Sequence, residues 1–309
     1  MTESERIIEK GFLPKTFFEE EVRCDFLVDE KRKKLWAIEL DMLMQIDRIC
    51  KKHNINYFLG GGTLLGAVRH KGFIPWDDDI DINMFRDDYE RFIKVAPMEL
   101  EEPYFLQTPY TDDGYYFSFA KLRNSNTTAI SGVFAYEKFN QGICLDIFPY
   151  DNMCIESLEE QFELINQLVM DNSTYMRKSN PFLSADDLER VKNHSGRNPL
   201  SVYEQIQEIA TKYNHTETDY VGNAVCTLFN WKKSYYEKDI FSEFIQIDFE
   251  GFKVPVPVGY EKYLEKHYGD WKKLPPVEKR GTWHSSSIIE PDIAYKQYFE
   301  NYIKGRNTQ

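Results

Sequence analysis

The residues Pro75-Trp76-Asp77-Asp78-Asp79-Ile80-Asp81-Ile82 follow closely on Gly60-Gly61-Gly62-Thr63-Leu64-Leu65-Gly66, and together they carry the chemistry of this chain. Successive side chains of a β-strand point to opposite faces, so Asp79 and Asp81 share one face while Ile80 and Ile82 anchor the other in a core. Two anions side by side are unfavourable unless a proton or a cation lies between them. Oxygen ligands of this kind suit Mg²⁺ or Mn²⁺, ions that bridge protein carboxylates and substrate phosphates. The expectation is metal-assisted phosphoryl transfer. An EF-hand reading of Asp77, Asp79, Asp81 and Asn83 fails, because Ile82 stands where glycine is required and Asp88 where glutamate is required. Asp77 has the same parity as Asp79 and Asp81 and is an alternative member of the pair.

The glycine run lies between a short strand, Asn56 to Leu59, and a helix beginning near Thr63. There, bare backbone N–H groups and the positive end of the helix can hold a phosphate. The run is neither a Walker A sequence nor the spaced glycines of a dinucleotide fold. A third carboxylate, Asp146, interrupts an apolar strand from Gly142 to Phe148. Such a residue is rarely buried unless paired or metal-bound, so Asp146 is the third candidate ligand. Lys121 and Arg123 share one face of a strand expected over Tyr115 to Arg123, where they would neutralise a transferring phosphate. None of the six histidines has zinc spacing. His70, beside Arg69, and His284, beside Trp283, have suggestive neighbours, although a structural or surface role is the stronger reading for each.

The positioning elements follow from periodicity. Leu35, Ile38, Met42, Ile46 and Ile49 recur at helical spacing and predict a helix from about Asp29 to His53. Asp87 is a candidate N-cap for a helix ended by Pro97. Ser157, Ser184 and Ser201 each stand at capping-box spacing before apolar periodicity, predicting a helical segment from about Ser157 to Tyr236. A hairpin turning at Glu250-Gly251 is expected between Ile245 and Val256, and a short helix from Tyr260 to Tyr268 stopped by Gly269. The division expected is an N-terminal extension at 1–28, a catalytic core at 29–156, a helical insertion at 157–236 and a C-terminal hairpin with helices at 237–309.

The chain has 309 residues, 42% of them hydrophobic, enough for a substantial core. Its net charge of −13 argues against a nucleic-acid partner. No apolar run is long enough to span a bilayer, and Met1 to Glu9 lacks a signal-peptide apolar segment, so the expectation is a soluble, cytoplasmic protein. The five scattered cysteines form no C-x-x-C pair and are read as reduced thiols.

The Gly-Gly-Thr-Leu-Leu-Gly turn, the block Arg69-His70-x-Gly72-Phe73-Ile74-Pro75-Trp76-Asp77-Asp78-Asp79-Ile80-Asp81, and Leu145-Asp146-Ile147-Phe148-Pro149 resemble the LicD family. That family comprises bacterial phosphocholine transferases related to fukutin and fukutin-related protein, within the polymerase β-like nucleotidyltransferase superfamily. Weaker matches at Lys121-Leu122-Arg123, Val254-Pro255-Val256-Pro257 and Tyr268-Gly269-Asp270-Trp271 extend the resemblance over most of Phe26 to His284. It is thin between about Glu156 and Tyr236. The resemblance implies an α+β fold, a small mixed sheet flanked by helices with an added helical region. It implies Asp79, Asp81 and Asp146 as ligands of Mg²⁺ (or Mn²⁺) and donor phosphates on Gly61, Gly62 and Thr63. Arg69, His70 and Trp76 join these as substrate contacts, and Lys121, Arg123 and His284 as catalytic groups. The activity implied is transfer of phosphocholine from CDP-choline to a hydroxyl of a cell-surface glycan or teichoic acid precursor, with peripheral contact at the inner face of the membrane left open. The alternatives are transfer of a nucleoside monophosphate to a small alcohol or protein, and a non-catalytic glycan-binding relative.

Overall fold

In a computed structural model that describes residues 1–194, 196–225, 231–281, 287–298 and 300, the long helix Glu30–His53 backs the sheet that carries the aspartates. Its stripe of Leu35, Ile38, Met42, Ile46 and Ile49 is buried, as its spacing requires. Asp29 caps its start by accepting the Arg32 N–H at 2.8 Å, and Asn54, in the left-handed region at φ 52°, ends it.

The main sheet is built on the eleven-residue strand Ile143–Met153. One side of this strand pairs in parallel with Asp81–Phe85; the other pairs antiparallel with Ala120–Asn124, which in turn pairs with Tyr104–Gln107. Phe58–Leu59 borders Asp81–Phe85, and Tyr220–Gly222 and Tyr235–Glu237 extend the far end of the sheet. Ile80, Ile82, Leu145 and Ile147 enter the large core with the long helix. A smaller core forms where Phe119, Phe148 and Met153 meet the helices Leu158–Tyr175 and Pro199–Thr211. The architecture is thus α+β. No helix among the described residues is long and apolar enough to cross a membrane.

Several boundaries differ from expectation. The aspartate strand begins at Asp81, not at Asp79, because a turn at residues 74–77 is pinned from the long helix: Arg32 Nη1 and Trp36 Nε1 donate to the Asp77 carbonyl at 2.6 and 3.1 Å. The alternation of sides nevertheless persists through the lead-in, with Asp77, Asp79 and Asp81 part-exposed and Asp78, Ile80 and Ile82 buried. The next helix, Arg86–Glu99, is capped by Phe85 without a side-chain bond and runs through Pro97. The strand near Lys121 covers only Ala120–Asn124, since Tyr115 instead buries its ring and donates to the Phe119 carbonyl. Of the three expected capping serines, Ser184 accepts the Asp187 N–H, Ser157 makes no cap bond and Ser201 lies inside a helix that Asn198 caps. The helical stretch gives way to strands at Tyr220, before Tyr236. The hairpin Phe244–Phe249/Phe252–Pro257 and the helix Tyr260–Tyr268 form as expected.

A buried ion pair joins the sheet to the helical region. Arg86 grips Asp151 with two bonds of 2.8 and 2.7 Å, their side chains 8% and 0% exposed, while Asn214 donates to Asp151 and Gln207 accepts from Arg86. Removing Asp151 leaves the buried Arg86 guanidinium with only Glu90, half-exposed at 3.1 Å, against its charge. Asp151→Ala is therefore expected to lower unfolding free energy in urea by about 3–5 kcal/mol. A loss below about 1 kcal/mol, the range of exposed pairs, would contradict this picture.

Candidate metal and phosphate site

Strand register assembles the site. Asp146 is the Cα partner of Asp81 on one side and of Lys121 on the other, so acid, acid and base occupy one rung across three adjacent strands. Partners on one rung project to the same face. The Lys121 ammonium bonds both Asp146 oxygens, at 2.5 and 2.7 Å. Burial opposes its charge, but Asp146 beside it holds the proton more firmly than usual.

The glycine turn is fastened to this rung through the Asp81 backbone. The Gly60 N–H donates to the Asp81 carbonyl at 3.0 Å, and the Asp81 N–H donates to Thr63 Oγ1 at 2.8 Å. The helix starts at Gly61, inside the turn. Gly61 needs its left-handed φ of 48°, which L side chains rarely adopt. At Gly62 the reason is space, since a Cβ would stand 2.7 Å from Asp77 Oδ2. The carboxylates therefore lie directly against the helix N-terminus. The Gly61 N–H donates to the Tyr263 hydroxyl at 3.2 Å.

One ligand atom from each of Asp77, Asp78 and Asp79 falls within 4.8 Å of the others. Burial, then the charges of Asp79 and Asp78, push the Asp77 carboxyl well above the usual range; Asp81 is raised by burial, then by Asp79, Asp146 and Asp77. Beneath them Glu39, 1% exposed on the long helix, is raised by burial and then by Asp79 and Asp78, and its Oε2 has no hydrogen-bond partner. An oxygen-only donor set with this much crowded negative charge and one orphaned carboxylate oxygen fits a hard divalent cation such as Mg²⁺ or Mn²⁺.

The other sequence candidates are placed differently. Arg123 is buried, its Nε donating to Gln107 Oε1 at 2.7 Å and its Nη1 to the Gly142 carbonyl at 2.6 Å, so it braces the strand ends. Arg69 binds the Trp271 carbonyl at 2.8 Å and donates to His70 Nε2 at 2.9 Å. His70 thus accepts at Nε2, which places its own proton on Nδ1. Burial, then Arg69 and Arg23, lowers His70 to about 4. Trp76 is buried, edge-on to Phe26 and to His70. His284 lies outside the described residues.

Sequence reasoning missed Glu39, although a carboxylate between Ile38 and Leu40 in a buried helix was a visible signal. It also missed Tyr263 and Tyr268. The Tyr268 phenol is held well above its usual range by burial, then Tyr263, then Asp77, Asp81 and Asp79.

Comparison with known proteins follows the same residues. The family model described as LicD/FKTN/FKRP, nucleotidyltransferase domain, matches residues 54–192. The chain is 32% identical over 252 residues to the lipopolysaccharide cholinephosphotransferase LicD of Haemophilus influenzae, covering 79% of this chain and 92% of that protein. It is 50% identical over 34 residues to the ribitol 5-phosphate transferase FKRP of Homo sapiens, 11% of this chain and 7% of that one.

The depressed His70 value sets a pH dependence. The unfolded chain, with an ordinary histidine near about 6.5, takes up the proton first, so His70 contributes stability that is lost as pH falls toward about 4. His70→Gln removes this loss: the advantage of the natural protein over the variant, read from urea midpoints, is expected to shrink between pH 7 and pH 4.5. Parallel stability curves would contradict the assignment.

Proposed function

Given that the chain belongs to the LicD family, we propose that this transferase moves phosphocholine from a nucleotide donor, CDP-choline, to a hydroxyl of a cell-surface glycan. The observation that carries this reading is the Asp81–Asp146–Lys121 rung, clamped through Asp81 to a glycine turn. A parallel strand pair with its acids on one rung suits a polymerase β-like nucleotidyltransferase core. The match over 92% of the cholinephosphotransferase extends the likeness beyond the motif block.

In this reading Asp79, Asp81 and Asp146, with Asp77 beside them, hold Mg²⁺ or Mn²⁺. When bound, the ion neutralises charge developing on the transferring phosphoryl group. The exposed N–H groups and positive end of the Gly61–His70 helix hold donor phosphates. A phosphate at Gly61 takes the N–H that Tyr263 now receives. Thr63 contributes by holding Asp81, and Arg123 by bracing its strand. The acceptor oxygen bonds to the phosphorus bearing choline, and the bridging P–O bond to CMP breaks. CMP leaves with that electron pair, while the hydroxyl proton passes to Asp146. Lys121, on Asp146 before the donor arrives, turns to the departing phosphate. Catalysis rests on position and charge.

Phosphorus NMR of a reaction containing CDP-choline, Mg²⁺ and glycan tests this. Free CMP and a choline phosphodiester on the glycan are expected; a nucleotide left on the acceptor, or binding without release of CMP, would overturn it. Asp81→Asn is expected to lower turnover at least about ten-fold and to abolish the rise in melting temperature on adding Mg²⁺. Retention of both would remove Asp81 from the site.

A further inference from the structure

The face of the sheet that carries the acids does not end with them. Two rungs beyond Asp81 and Asp146 the same face presents Asn83 and Phe148, and two rungs further Phe85 and Tyr150. Above Asn83, Phe148 and Tyr150 stand Tyr236, Tyr263 and His267, leaving a cleft of about 70 Å³ that opens onto Gly61, Gly62 and Asp81. Its roof is rigid: Tyr236 and Tyr263 stack at 4.3 Å and 13°, His267 continues the stack, and the Tyr236 hydroxyl meets His267 Nδ1 at 3.0 Å.

A buried amide marks what the cleft is built for. Asn83 is 3% exposed and its Nδ2 has no hydrogen-bond partner. That nitrogen lies against the start of the glycine turn, where a Cβ on Gly60 would come within 2.1 Å of it. A buried donor without an acceptor destabilises the fold, which is reasonable at a site whose ligand supplies the acceptor.

Resting on the reading of a nucleotide donor, we propose that this cleft seats the donor's base, a single-ring pyrimidine, with the Asn83 amide donating to a ring acceptor. The alternative occupant, the quaternary ammonium of the head group, carries no acceptor for Asn83. It would also sit beside Lys233, whose ammonium lies on this wall at the His267 carbonyl. Aromatic walls suit a flat ring. At about 70 Å³, less than the roughly 150 Å³ that encloses a benzene, the cleft admits the edge of one ring through its open side.

Calorimetry at saturating Mg²⁺ with CMP, AMP and phosphocholine as separate probes tests the seat. CMP is expected to bind at least about ten-fold more tightly than AMP. Asn83→Asp, which replaces the donor by an acceptor, is expected to weaken CMP by about ten-fold or more, the equivalent of one lost hydrogen bond, and to leave phosphocholine unchanged. Should that variant fail to fold, the side-chain amide resonance of Asn83 in the natural protein decides: it is expected to shift with CMP and not with phosphocholine. Equal affinity for CMP and AMP, or an Asn83 amide that responds to phosphocholine instead, would overturn the seat. Transfer from CDP-choline persisting alongside such a result would sink only the base seat. Asn83-dependent CMP binding without phosphocholine transfer would sink only the choline reading.

Discussion

Two hydrogen bonds to one residue's backbone govern this site. Because Gly60 donates to the Asp81 carbonyl and Thr63 accepts the Asp81 N–H, the phosphate-type turn and the acid rung cannot move independently. A slip of one residue in the aspartate strand would send Asp81 into the core and Ile82 out to the carboxylates, so the burial of Ile80 and Ile82 defends the same register. The glycines follow from that constraint, since the space beside the turn is taken up by the carboxylates of Asp77 and Asp81.

The crowding of acids is opposed from several directions. Asp77 is tied through its carbonyl to Arg32 and Trp36, and Trp36 stacks on Phe73 at 4.6 Å, so the loop before the strand is gripped by the long helix. Glu250, at the hairpin turn, pairs with Arg23 and accepts the Phe73 N–H, gripping the same loop from the other side. These neutral and charged contacts hold the carboxylates together against their mutual repulsion. Such a held arrangement is what a preorganised cation site requires, because the ion then meets ligands that need no rearrangement.

Much of this was legible in the sequence where local periodicity decides structure. The helix of Leu35 to Ile49, the glycine turn and the alternation of Asp77, Asp79 and Asp81 with Ile80 and Ile82 all emerged from spacing. Long-range pairing was not legible. Nothing near Asp146 announces that it shares a rung with both Asp81 and Lys121, and nothing near Arg123 announces Gln107 and the Gly142 carbonyl as its partners. The strand starts at Asp81 because of Arg32 and Trp36, more than forty residues away. Ser201 looked like a cap and is not one, because Asn198, three residues earlier, accepts the Leu200 N–H first.

The central claim is that these carboxylates form a divalent-cation centre against the glycine turn. Anomalous diffraction from crystals soaked in Mn²⁺ tests it most directly. A single strong peak between Asp79 and Asp81, within about 2.3 Å of their oxygens, is the result expected. Manganese bound elsewhere, or no peak there at saturating Mn²⁺, would contradict the account.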